Sequence, residues 1–111
     1  MCTVVIQVPE TAERSIRMLA VRDEEPSRAW DPPGPWWPEL PGVIGVRDRR
    51  AGGAWLATHE GRVAVLLNRA EAEDPTIPAS SRLASRGTLV LDDVAGIAVP
   101  DAPQTGSFNL V

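Results

Sequence analysis

Apolar residues in this chain come mostly in short, β-branched runs, and turn-forming residues cut the runs apart. Residues 3–8 (TVVIQV) are one such run, stopped by Pro9, and they predict a buried strand. Residues 17–22 (RMLAVR) predict a second, and the polar connection at 10–15 makes the two a hairpin. Residues 43–46, 54–58 and 62–68 predict an antiparallel meander, with turn signals at Ala51-Gly52-Gly53 and Glu60-Gly61. Helical spacing shows after Ser85-Arg86-Gly87, over residues 88–95, where Leu89, Val90, Val94 and Ala95 share a face. Residues 71–81 and 101–106 read as loops, and residues 107–111 (SFNLV) as the start of a strand.

One stretch fits neither period. Residues 25–42 are dense in proline and tryptophan, which interrupts both helix and ladder and predicts an ordered loop. Trp30, Trp36 and Trp37 are too apolar for a solvated tether; they either seal one edge of a small core or line a ligand mouth.

Composition narrows the partners. At 111 residues the chain is a single domain with one modest core. A net charge of -4 argues against nucleic acid or an anionic membrane as the main partner. No apolar run is long enough to span a bilayer and no signal-peptide pattern is present, so the expected location is cytoplasmic. The single cysteine leaves no internal disulfide and requires no oxidising compartment.

That cysteine, Cys2, follows the initiator methionine directly. Methionine aminopeptidases remove Met before small side chains, and removal here would give one residue both a thiol and a free α-amine. With a typical pKa of about 8, the amine can serve as base toward the neighbouring thiol, the layout of an N-terminal nucleophile. A second-position cysteine is equally a small apolar residue opening a strand. No phosphate-binding loop, dinucleotide fingerprint or H-E-x-x-H motif competes, and the lone His59, in a predicted turn, makes no metal cluster. Asp92-Asp93 and Asp23-Glu24-Glu25 read individually as solvated surface.

The joint order of short motifs is more specific than any of them. Met1-Cys2 is followed by Val21-Arg22-Asp23-Glu24, Ser27-Arg28, Gly52-Gly53-Ala54-Trp55-Leu56, Leu67-Asn68, Ser85-Arg86-Gly87-x-Leu89 and Phe108-Asn109-Leu110. This series resembles the NRDE family, also called the transport and Golgi organisation family, across essentially the whole chain. Val21 stands where that family has Asn, Ala54 where it has Thr, and Leu67 where it has Thr. Its members are typically much longer, so the resemblance implies a truncated, N-terminal part.

The resemblance implies an α+β fold, the N-terminal part of an αββα sandwich of the N-terminal nucleophile hydrolase type with mostly antiparallel strands. It implies amide-bond hydrolysis through a thioester at Cys2, with Arg22 and Asp23 beside the nucleophile and Asn68 as an oxyanion donor. The chemistry suits these residue types: a cation stabilises a thiolate, a carboxylate orients that cation or the α-ammonium, and an amide N–H stabilises a developing oxyanion. No cofactor and no metal are implied. The alternative is a non-catalytic trafficking or ligand-binding protein that handles haem, acyl-CoA or lipid. Cys2, His59, Met1 and Met18 are the available haem ligands, and none carries a supporting motif. Half a sandwich leaves a sheet face or edge uncovered, which predicts self-association or a completing partner chain.

Overall fold

The computed structural model describes residues 2–69, 85–101 and 108–111. Strands β1 (Thr3–Gln7) and β2 (Arg17–Val21) form a two-stranded antiparallel hairpin. Strands β3 (Trp30–Gly34), β4 (Ile44–Asp48), β5 (Ala54–His59), β6 (Arg62–Asn68) and β7 (Phe108–Leu110) make a five-stranded antiparallel sheet in that order. A single described helix, α1 (Gly87–Val94), packs on β5 and β6. The architecture is α+β and dominated by antiparallel strands, as the runs predict. The loop expected at 71–81 and most of that at 101–106 lie outside the described residues.

The core lies between α1 and one face of the larger sheet. Val90, Leu91 and Val94 of the helix meet Ala54, Ala57, Ala64 and Leu66, and Trp37 and Val43 complete the cluster. Alanines at the contact let the helix come close to the sheet, and glycines let it come closer still. A Cβ on Gly53 would stand 2.6 Å from the carbonyl carbon of Gly87, and one on Gly87 would stand 2.9 Å from the Ala54 nitrogen. The Gly-Gly and Ser-Arg-Gly motifs are therefore two halves of one backbone contact. The helix stops in a Schellman motif: Gly96 takes a φ of 76°, and the Ile97 and Gly96 amides donate to Asp92 and Asp93 carbonyls at 2.8 and 3.1 Å.

A bulge in β5 organises the opposite face. Neighbours Val46 and Arg47 of β4 oppose Leu56 and Ala54, leaving Trp55 as the extra residue. Strict alternation would put Ala54 and Ala57 on opposite faces, yet both belong to the α1-facing core. The bulge reconciles them and turns Trp55 away from the helix. The β5–β6 turn has positive φ at Glu60 (47°) and Gly61 (77°), the two-residue hairpin turn that Glu60-Gly61 predicts.

The proline-rich stretch departs from expectation, because residues predicted as loop contain β3. Pro32 and Pro33 sit where the β3–β4 register shifts, between Asp31 and Gly34, and β3 is the sheet's edge. An edge strand tolerates residues that donate no ladder hydrogen bond. Of the tryptophans nearby, Trp37 is buried and donates to the Gly52 carbonyl at 2.8 Å, and Trp36 donates to Pro32 at 2.8 Å. They seal the core's edge; Trp30 is 53% exposed.

Candidate functional site

The hairpin sets the position of Cys2. Its register runs from Gln7↔Arg17 to Thr3↔Val21, so Cys2 and Arg22 leave it at the same end, one residue past the last pair. Cys2 is a half-buried free thiol. Arg22 reaches from this end to the larger sheet: its Nη1 donates to the Leu66 carbonyl of β6 at 3.0 Å. Its Nε and Nη2 donate to Glu24 Oε2 at 3.4 and 3.2 Å, and the guanidinium lies 4.7 Å over the Trp55 ring. Trp55 in turn lies 6.4 Å from Trp30, the planes 33° apart. A connected row of Glu24, Arg22, Trp55 and Trp30 thus runs along the open end of the hairpin.

Asn68 ends β6, two residues beyond the Leu66 carbonyl that Arg22 grips. Alternation puts it on the α1 side with Ala64 and Leu66, across from Phe108, which also packs on the core. Its Oδ1 is buried without a hydrogen-bond partner, the single such side-chain atom among the described residues. Leaving a buried acceptor unsatisfied costs about 1–3 kcal/mol, so a donor arriving at Asn68 would recover that amount. Asp23, between Arg22 and Glu24, is exposed and takes part in an interaction of its own. The structure thus brings Cys2 and Arg22 together at the hairpin's end, and sets the Asn68 side chain on the α1 face of β6, two residues from the carbonyl that Arg22 grips.

Glu24, Trp55 and the Leu66 carbonyl are absent from the residues predicted from sequence. Glu24 was visible only as part of a charge run, and Trp55 only as part of a motif. A backbone carbonyl left open by a bulge has no side-chain signature.

A second polar cluster is structural. Buried Asp48 pairs with Arg28 and accepts the Arg50 and Ala51 amides at 2.9 and 3.2 Å, closing the turn between β4 and β5. Burial pushes the Asp48 carboxyl up, but Arg28 and the two amides together outweigh it and hold it below the ordinary range. The hydrogen bond to Asp48 in turn raises Arg28. The Ser27-Arg28 motif therefore carries this turn. No group of three or more His, Cys, Asp and Glu gathers to hold a metal among the described residues.

An α+β domain that presents a second-position cysteine on a hairpin, across from a docked arginine, is the class these features define. The chain belongs to the transport and Golgi organisation 2 family, whose model matches residues 1–104. No curated protein and no solved structure matches it. No helix among the described residues is long and apolar enough to cross a membrane.

Proposed function

We propose that this chain is a cysteine hydrolase of the N-terminal nucleophile type, cleaving an amide bond with Cys2 once Met1 has been removed. The observation that carries the reading is the exit of Cys2 from β1 at the end where Arg22 joins the hairpin to the larger sheet. Cys2 Sγ attacks the amide carbonyl while the α-amine takes the thiol proton. That proton passes to the leaving amine as the C–N bond breaks, and a thioester remains on Sγ. Water hydrolyses the thioester, releasing the acid and restoring the thiol. Asn68 donates from its amide nitrogen to the oxyanion, and Asp23 holds the α-ammonium.

The αββα arrangement belongs to the same proposal. The larger sheet carries α1 on one face, and its other face leaves Val63 42% and Ile44 39% exposed. An apolar sheet face of this kind suits a second sheet, of which the hairpin is the first piece.

The test is acylation. An activated ester or β-lactone should leave one acyl group on Cys2, and Cys2→Ala should take up none. A wild-type chain that loses Met1 yet never acquires the acyl group would defeat the reading.

The exposure of Trp30 beside Trp55 supports a second reading, a non-catalytic carrier of an apolar ligand such as haem, acyl-CoA or lipid. A carrier of acyl-CoA or lipid would bind its ligand equally well as Cys2→Ala, and a carrier of any of the three would form no acyl-enzyme.

A further inference from the structure

We propose that Arg22 is a positioning residue: its guanidinium latches the open end of the Cys2 hairpin onto β6 and acts on Cys2 through that docking instead of through its charge. The nucleophile reading enters only as the purpose of the latch, because the docking itself requires no reaction.

The hairpin has little other purchase. Among the described elements, β1 and β2 pack extensively with each other and with no other strand or helix. Val5, Leu19 and Val21 remain 57%, 62% and 50% exposed. Among the described residues, Arg22 is a side chain that crosses from this hairpin to the main sheet, and the place it reaches is specific. The β5–β6 register runs from His59↔Arg62 to Leu56↔Val65 and stops. Trp55 and Leu66 would form the next pair, but Trp55 is the bulged residue. Arg22 Nη1 donates to the Leu66 carbonyl beyond this last pair, at 3.0 Å, while the guanidinium rests on the ring of the residue that left the ladder.

The rest of the guanidinium is also engaged. Nε and Nη2 face Glu24, whose carboxylate opposes the cation at 3.2 Å, and the side chain is 16% exposed. A charge countered this closely has a reduced field at a neighbouring thiol. A rigid fork that bonds a carbonyl, a carboxylate and a ring face at once is a task for arginine, and lysine cannot reproduce it.

Amide hydrogen exchange in β1 and β2, together with the rate of Cys2 alkylation, tests the latch on the full chain. Arg22→Lys and Arg22→Met should both speed hairpin exchange by roughly ten- to a hundred-fold, the loss expected for one hydrogen bond from a charged donor. Both should also speed alkylation, since the hairpin end opens. Glu24→Gln, at an exposed position where folding is not at stake, should move both readouts the same way by less. The proposal fails if Arg22→Lys behaves as wild type while Arg22→Met slows alkylation and leaves exchange unchanged, the signature of a charge effect. Unchanged hairpin exchange in Arg22→Met would also overturn it. Absence of acylation in the wild type would defeat the hydrolase reading and leave these exchange results standing.

Discussion

A buried carboxylate and a buried amide oxygen show how differently this fold treats its charges and its amides. Asp48 is paired on every side, and removing it would strand Arg28 and open two turn amides. Asp48→Ala should cost on the order of 3 kcal/mol in urea or thermal unfolding, at the lower end for a buried pair because Arg28 is 22% exposed. Its folded-state pKa lies below the unfolded value of about 3.9. The contribution is therefore fully present above that value and is lost as pH falls through the lower, folded one. Wild type and Asp48→Ala should differ by a constant amount from neutral pH down to about 4 and converge below it. Asn68 is the opposite case, an amide whose buried oxygen meets nothing. Asn68→Leu should leave Tm unchanged or raise it, since an unsatisfied acceptor disappears, while slowing acylation of Cys2 by about 10²–10³-fold. A variant destabilised and still fully active would show Asn68 to be structural.

At the scale of elements, the contact between α1 and the start of β5 makes the sharpest demand. Gly87 opens a helix, where alanine is ordinarily preferred by about 1 kcal/mol. Its Cβ would nevertheless fall 2.9 Å from Gly53 and from the Ala54 nitrogen, against backbone that cannot step aside. Gly87→Ala and Gly53→Ala should each destabilise the domain by about 1–3 kcal/mol, measured by chemical unfolding. This contact also marks how far sequence alone could go. The strands of the hairpin and β6 were legible as short apolar runs bounded by turn signals, but the burial expected of residues 3–8 was not met: β1 is mostly exposed, because no other described element packs extensively on the hairpin. The strand β3 was not, because its two prolines forbid a central strand and only the sheet order reveals an edge. The bulge at Trp55 was hidden too, since an extra residue is defined by its partner strand. For the site, Cys2 and Arg22 were legible from the motif order, but Arg22's grip on Leu66 and its ring contact with Trp55 are tertiary facts.

The whole molecule carries one well-covered sheet face and a hairpin that stands apart. Its radius of gyration is 15.0 Å, against about 13 Å for a compact chain of this length. Val5 and Leu19 pair across one face of the hairpin, and Ile6, 46% exposed, lies on the other, so apolar surface is open on both sides. Surface of this kind calls for cover, and the 111-residue chain by itself should self-associate. Light scattering should give a mass above 11.9 kDa that rises with concentration, and a monodisperse monomer would count against the expectation. Membership of the transport and Golgi organisation 2 family supplies the frame for these features, and the chemistry proposed within it rests on Cys2. Intact-mass analysis of the chain from its own source, before and after exposure to an acylating β-lactone, tests that chemistry most directly. The account predicts a protein lacking Met1 that gains a single acyl group mapped to Cys2. A retained Met1, or a free N-terminal cysteine that stays unmodified, would contradict it.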